Sequence, residues 1–308
     1  MIKDVYKGHL AMLTANILWG FMAPISKVVL NAGIITSFAL TDFRIFGAAI
    51  AFWIASIFVP KEKVAPNDMM HLFFAALLAI VFNQGSYIVG VGLTSPIDAS
   101  VITTSTPILT MIISALYLKE PVTGKKVIGI LLGAAGALLL IMSGQQQGVG
   151  SGNVWGDLLC LSAQLSFSMY IVFYKGLISR YSPITIMKWM FTYASICMVP
   201  FSYSIMSHVQ WTDMNWNVVG GIAYVVLCGT FITYLLVPIG QRTLRPTVAV
   251  MYNYVQPIVA STAALLWGIG EFTFLKVIAV VLVFVGVFVV TQSKSRQQLE
   301  AEKMQQES

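Results

Sequence analysis

Carboxamide side chains stand in the middle of long apolar segments of this sequence, where they could bind a polar solute. They are Asn16, Asn83, Gln84, Gln164, Asn253 and Gln256. Each amide carries two donor hydrogens and two acceptor lone pairs, and a hydrocarbon environment satisfies none of them. We therefore consider these six residues candidates for contact with cavity water or with a substrate.

Hydroxyl and aromatic side chains share the same segments. Trp19 follows Asn16 on one helical face, and Tyr87 closes the cluster that begins at Asn83. The further candidates for a substrate site are Ser100, Thr104, Ser168, Tyr224 and Tyr252. Two interpretations remain open for this group, because serine and threonine also bond to backbone carbonyls of their own or a neighbouring helix, and aromatic rings also fill cores.

Arg44 is the one cation well inside an apolar segment, and no carboxylate stands at the middle of any segment. Asp42 is two residues away, and residues two apart point in different directions on a helix. Arg44 has a structural role, in which it snorkels toward the outer membrane surface or bonds to helix-end carbonyls, or it binds a substrate carboxylate in a cavity. The missing central acid disfavours a cationic drug and favours a neutral or zwitterionic metabolite.

Motifs for catalysis and metal binding are absent from the sequence. It contains no GxSxG, no HExxH and no pair of aspartates inside one apolar segment. Cys160, Cys197 and Cys228 stand singly, without metal-like spacing to histidine. We expect no enzyme activity, no metal and no cofactor.

The composition is that of a polytopic membrane protein. Of 308 residues, 57% are hydrophobic and only 10% are charged, against about a quarter charged in soluble domains. The apolar runs do not alternate as β-barrel strands do, so they predict helices. Ten segments of 19 to 24 residues result, each able to cross a hydrocarbon core of roughly 30 Å. They are residues 10–30, 36–59, 69–91, 97–118, 124–143, 154–176, 184–206, 216–239, 246–268 and 273–291.

The distribution of charge predicts the topology. With the N-terminus in the cytoplasm, fourteen of the eighteen Lys and Arg residues fall on the inner side. The outer connections, 31–35, 92–96, 144–153 and 207–215, contain neither residue. The positive-inside rule therefore places both termini in the cytoplasm, and a bacterial inner membrane is the expected location.

An internal repeat relates the two halves at an offset of 150 residues. The matches are Gly90 with Gly240, Pro96 with Pro246, Ala99 with Ala249, Pro107 with Pro257 and Ile108 with Ile258. We divide the chain into a first repeat at 1–143, an outer linker at 144–153, a second repeat at 154–291 and a polar cytoplasmic tail at 292–308. Because each repeat has five spans, the second enters the membrane from the opposite face, which is the inverted topology of alternating-access transporters.

These motifs resemble the EamA repeat of the drug/metabolite transporter superfamily. The resemblance rests on Trp19-Gly20, Arg44-Ile45-Phe46, the run 94–100, Thr106-Pro107 and Lys119-Glu120, and on Gly270-Glu271 in the second half. Phe167-Ser168 stands where Trp19-Gly20 stands in the first half. The resemblance implies that spans 1, 3, 4, 6, 8 and 9 surround a central cavity. Members of the superfamily export amino acids and other metabolites or carry nucleotide sugars.

We thus expect an all-α membrane protein of ten helices in two inverted five-helix repeats, acting as a secondary transporter. The expected activity is export of small metabolites, such as neutral or aromatic amino acids, across the inner membrane by alternating access. A multidrug or nucleotide-sugar-like carrier, a channel and a non-transporting scaffold are the alternatives. Pro107 and Pro257 are the hinge candidates.

The expected partners are a small-molecule substrate and the lipid bilayer, without nucleic acid. Gly129 and Gly133 form a small-residue face in the fifth span. Such a face packs against a neighbouring span of the same chain or forms a dimer interface. We expect the first arrangement, and a monomer.

Overall fold

Helices lie in the described part of each predicted segment. The structure, a computed structural model, describes residues 2–93, 102–143, 154–266 and 274–294. In chain order the helices are α1 (Ile2–Asn31), α2 (Ser37–Ala55), α3 (Pro66–Ala76, Leu77–Phe82 and Asn83–Leu93), α4 (Thr106–Tyr117), α5 (Gly124–Ser143), α6 (Val154–Phe173), α7 (Pro183–Met206), α8 (Trp216–Val226, Leu227–Ile232 and Thr233–Thr243), α9 (Pro246–Met251, Tyr252–Tyr254 and Val255–Leu266) and α10 (Phe274–Thr291). A short helix, Lys175–Arg180, joins α6 to α7.

Five of the described helices are long and apolar enough to cross a membrane. They are Ser37–Ala55, Pro66–Tyr87, Val154–Phe173, Pro183–Met206 and Trp216–Thr243. The α4 helix spans only 12 residues, and a three-residue 3₁₀ turn interrupts α9. An all-helical, multi-pass architecture is therefore established within the described ranges, and the crossing of the other five segments stays a prediction.

The packing of the helices repeats between the two halves. The α3 helix packs on α6 as α8 packs on α1, and α4 packs on α6 as α9 packs on α1. An α4–α9 contact joins these groups, giving one continuous series of helices: α8, α1, α9, α4, α6 and α3. The remaining helices pair with their own equivalents, α2 with α7 and α5 with α10.

Ionic and capping contacts tie the ends of α3 and α7 together. Arg180 Nη1 lies 3.1 Å from Asp68 Oδ1, and the amide of Ser182 donates to Glu62 Oε2 over 2.8 Å. Burial acts to raise the pKa of Glu62, but hydrogen bonds from Thr185 and Ser182 outweigh it and hold that pKa below its usual range. The Ser182 hydroxyl also accepts from the Thr185 amide and so caps α7.

Glycines bring the backbones of α5 and α10 into direct contact. A Cβ added at Gly286 would lie 2.6 Å from both Gly129 O and Gly133 N, which are backbone atoms that cannot rotate away. The small-residue face of α5 therefore packs within the chain, as the first of the two interpretations requires.

Gly286→Ala is expected to destabilise the protein by about 1–3 kcal/mol, because the two helices must separate to admit the methyl group. Gly220→Ala is the matched control, since a Cβ there meets nothing within 4 Å. Thermal unfolding of both purified variants measures the difference. Equal stability of the two variants would contradict the close packing.

Candidate functional site

Two hydrogen bonds at equivalent positions join the central helices. Gln256 Nε2 donates to Asn16 Oδ1 over 2.8 Å, linking α9 to α1. Thr106 Oγ1 donates to Gln164 Oε1, also over 2.8 Å, linking α4 to α6. Thr106 and Gln256 occupy equivalent positions in the two repeats at the offset of 150 residues. Asn16 and Gln164 are also equivalent, at an offset of 148 residues, which is the offset between Trp19 and Phe167. The two repeats thus contain equivalent hydrogen bonds between their central helices.

Two further hydrogen bonds connect a residue to its own equivalent in the other repeat. Gln84 Nε2 donates to Tyr234 Oη over 3.1 Å, and Tyr254 Oη donates to Thr104 O over 3.2 Å. The partners in each bond are 150 residues apart. In a two-fold arrangement such residues lie beside the symmetry axis, because only there can a position meet its own equivalent.

Breaks in regular α-helix geometry also recur at this offset. The π-helical segments Leu77–Phe82 and Leu227–Ile232 interrupt α3 and α8 at equivalent positions. A π-helical segment disturbs the i to i−4 bonding ladder and is frequent at functional sites. Here Gly229 O accepts from the indole of Trp19 over 3.0 Å.

Arg44 lies beside the π-helical segment of α8. Its Nε donates to Thr230 Oγ1 over 3.0 Å, and the hydroxyls of Tyr87 and Tyr234 lie near its guanidinium. Within the described ranges, no carboxylate lies within 4 Å of the Arg44 guanidinium. The prediction that Arg44 does not pair with Asp42 is therefore confirmed.

Helices α1, α3 and α8 supply the aromatic rings near this arginine, namely Trp19, Tyr87 and Tyr234. The rings of Trp19 and Tyr234 meet edge to face at 6.0 Å. Gln84 is only 5% exposed, and its Oε1 has no hydrogen-bond partner among the described residues. The region therefore presents a cation, an unpaired acceptor and flat aromatic surfaces.

Comparison with known proteins decides the family. The sequence profile of the EamA-like transporter family matches residues 6–142 and again residues 154–292. The chain belongs to the EamA-like transporter family. It is accordingly a membrane transporter by family and a multi-pass membrane protein by its apolar helices.

Relatives of this EamA-like chain carry little functional detail in their names. It is 25% identical over 186 residues to an uncharacterized transporter of Archaeoglobus fulgidus, a match that spans 59% of this chain and 62% of that protein. The uncharacterized transporter YetK of Bacillus subtilis is 22% identical, with 96% of this chain and 90% of the relative covered. Protein WALLS ARE THIN 1 of Arabidopsis thaliana is 30% identical over 44% of this chain and 36% of its own length.

A solved structure shares the fold. A crystal structure whose description names no function superposes with a TM-score of 0.75 at 18% identity, covering 92% of this chain and 96% of that one. This likeness supports the fold of the EamA-like chain and carries no information on its substrate.

The other predicted site residues of the EamA-like chain divide into bonded and unbonded groups. Two of them bond to backbone carbonyls of other helices, because Asn83 donates to Ala163 O and Tyr224 donates to Leu18 O. The other two bond to side chains: the Ser168 hydroxyl accepts from Thr110, and the Tyr252 hydroxyl lies 2.7 Å from His9 Nδ1. Asn253 is half-buried in the 3₁₀ turn of α9. Ser100 lies outside the described residues.

The hinge candidates follow equivalent helix breaks. Pro107 is the second residue of α4, which follows a turn at Thr104 and Ser105, and Pro257 follows the 3₁₀ turn Tyr252–Tyr254. Both breaks lie next to the Thr104–Tyr254 hydrogen bond. The geometry of α4 and α9 is therefore irregular where the two prolines stand, and a hinge role stays a prediction.

Sequence reasoning missed four residues that the structure brings into this region: Thr106, Thr230, Tyr234 and Tyr254. The repeat offset could have found three of them, because Thr106, Tyr234 and Tyr254 are the equivalents of the candidates Gln256, Gln84 and Thr104. Thr230 has no such signal. In the described part of the chain, no group of three His, Cys, Asp or Glu side chains could hold a metal ion.

Proposed function

We propose that this protein is a secondary transporter that exports small amino acid-like metabolites, neutral or aromatic, by alternating access across a bacterial inner membrane. The observation that carries the proposal is Arg44, a cation inside the helix bundle for which the described residues supply no carboxylate. A buried charge is stable only when it is paired or solvated. A solute carboxylate would supply the missing partner.

The guanidinium of Arg44 suits a carboxylate for a geometric reason. Arginine presents its donors in a rigid planar fork that matches the two oxygens of a carboxylate. Only Nε is engaged, by Thr230, so the terminal nitrogens have no protein acceptor in the described ranges. A carboxylate bound there would make charge-assisted hydrogen bonds in a region of low dielectric.

An amino acid also has an ammonium group, and Gln84 provides an acceptor for it. Gln84 Nε2 donates to the Tyr234 hydroxyl, and Arg44 donates to Thr230, one helical turn earlier on α8. Gln84 Oε1 is buried and unpaired in the described region. A cation and an unpaired acceptor that contact adjacent turns of one helix complement a zwitterion better than they complement a cationic dye.

Support for alternating access comes from the two-fold arrangement of contacts. The Asn16–Gln256 and Thr106–Gln164 bonds are equivalent, and Gln84 and Thr104 meet their own equivalents. Two similar halves around one axis favour a pair of states of nearly equal energy, one open to each side. The inverted orientation of the halves rests on the odd number of predicted spans.

Counterflow into proteoliposomes tests this function. Vesicles preloaded with one unlabelled solute are offered the labelled form, with neutral, aromatic and acidic amino acids, sugars and a quaternary ammonium dye as the panel. We expect counterflow of neutral or aromatic amino acids. Counterflow of the dye alone would contradict the charge argument, and no counterflow across the panel would favour the scaffold alternative.

Gln256→Ala is expected to slow that counterflow by about tenfold and to lower stability by about 1–3 kcal/mol, because Oδ1 of the completely buried Asn16 loses its donor. Asn253→Ala, three residues earlier on α9, removes an amide for which no hydrogen bond is described. Any loss with this second variant therefore reports on solute contact and not on packing. Unchanged counterflow in both variants would exclude this face of α9 from the site.

A further inference from the structure

A shallow apolar groove of about 420 Å³ runs between α2 and α7 on the surface of the bundle. Phe46, Ile50 and Trp53 line one side, and Ile196 and Val199 line the other. Ile50, Ile196 and Val199 are each about 60% exposed. A groove of this kind on a membrane protein faces lipid chains.

Polar groups in the groove satisfy one another. The Trp53 indole donates to Thr192 Oγ1 over 2.9 Å, and that hydroxyl donates to Lys188 O over 2.7 Å. Ser195 donates to Phe191 O of its own helix. The wall therefore has no unmet hydrogen bond to offer, and its free surface suits a hydrocarbon chain.

A positive charge marks one end of the groove. Lys188 lies in the second turn of α7, with its Nζ 4.7 Å from the ring centroid of Trp53 and 5.5 Å from that of Trp189. Two indole faces hold an ammonium group by cation–π attraction but leave its charge unneutralised. Across the described ranges, no carboxylate lies within 4 Å of Lys188.

We propose that this groove binds an anionic phospholipid, with an acyl chain between α2 and α7 and the phosphate at the Lys188 ammonium. Tryptophan is enriched where hydrocarbon meets head groups, so Trp53 and Trp189 fit the level of the glycerol and phosphate. Lysine attracts anionic lipids at that level. The predicted topology puts this end of α7 in the inner leaflet. The site lies on the outside of the bundle and does not depend on any transported solute.

Tryptophan quenching by brominated lipids tests the site. The protein is reconstituted in vesicles that contain a small fraction of either phosphatidylglycerol or phosphatidylcholine with bromine on the acyl chains. Bromine quenches an indole that it touches, and the difference between the unaltered protein and Trp53→Phe isolates the signal of Trp53. We expect brominated phosphatidylglycerol to be about fivefold more effective than brominated phosphatidylcholine, the factor for one basic side chain near anionic lipid.

Variants at the cation complete the test. Lys188→Met is expected to abolish the preference, Lys188→Arg to retain it, and Lys61→Met, which removes an exposed loop cation, to leave it unchanged. Equal quenching by the two lipids in the unaltered protein, or a preference that survives Lys188→Met, would overturn the proposal. Absence of Trp53 quenching by either lipid would also overturn it, since the groove would then be covered by protein, such as a second copy of the chain.

Discussion

Arg44→Gln is expected to reduce counterflow of a carboxylate-bearing amino acid by about thirtyfold or more. Losing one member of a buried, hydrogen-bonded charge pair costs about 2–5 kcal/mol, and 2 kcal/mol corresponds to about thirtyfold. Arg44→Lys should give an intermediate loss, because the charge remains while the planar fork is lost. Initial rates of counterflow at several solute concentrations measure the effect.

The corresponding amino acid amide serves as the matched solute for Arg44, since it lacks the carboxylate. We expect the amide to be carried poorly by the unaltered protein and equally poorly by Arg44→Gln. Arg180→Gln is the control for loss of a cation, because that side chain is 64% exposed and pairs with Asp68 at the end of the bundle. Equal losses for the acid and the amide would mean that Arg44 supports the fold and does not bind the solute.

Glu120→Gln is expected to lower the free energy of unfolding by about 3–5 kcal/mol, because it leaves a buried ammonium without its counter-charge. The Lys126 side chain is 1% exposed, and its Nζ lies 2.8 Å from Glu120 Oε2. That carboxylate also accepts from Thr247 over 3.3 Å, so it connects the end of α4, the start of α5 and the start of α9. Thermal unfolding in detergent measures the loss.

A second substitution separates charge from packing at this position. Adding Lys126→Met to Glu120→Gln removes the unpaired ammonium, and we expect it to restore most of the lost stability. The Asp68–Arg180 pair, in which the arginine side chain is exposed, provides the comparison, and Arg180→Gln should cost less than about 1 kcal/mol there. The buried-pair argument fails when Glu120→Gln is as stable as the unaltered protein, or when Lys126→Met brings no recovery.

Much of the helical architecture follows from composition alone. An apolar run of about 20 residues has few alternatives to a helix when water is excluded, because every backbone group must bond within its own segment. Where the predicted ends fall on described residues, most of them agree with helix ends to within a few residues, but α1 already begins at Ile2 and not at residue 10. The repeat offset of 150 residues was readable from five identities, and it correctly relates α3 to α8.

The sequence does not predict which residue each polar side chain contacts. That Asn16 meets Gln256, and Gln164 meets Thr106, depends on how the helices are rotated about their axes. Apolar segments leave that rotation undetermined, since all of their faces are similarly hydrophobic. The π-helical segments escaped prediction for a related reason, because Leu77–Phe82 has the composition of an ordinary α-helix.

Those π-helical segments record the order of events in the ancestry of the chain. A bulge of this type holds more residues per turn than the surrounding α-helix, and an inserted residue is its simplest origin. The two bulges begin 150 residues apart, as do the helices on either side of them. Two independent insertions would have to coincide at the same turn to produce that spacing, whereas one insertion in a single ancestral half would be copied with it. The shared position of the two bulges is thus the arrangement that duplication of one bulged ancestral half would produce.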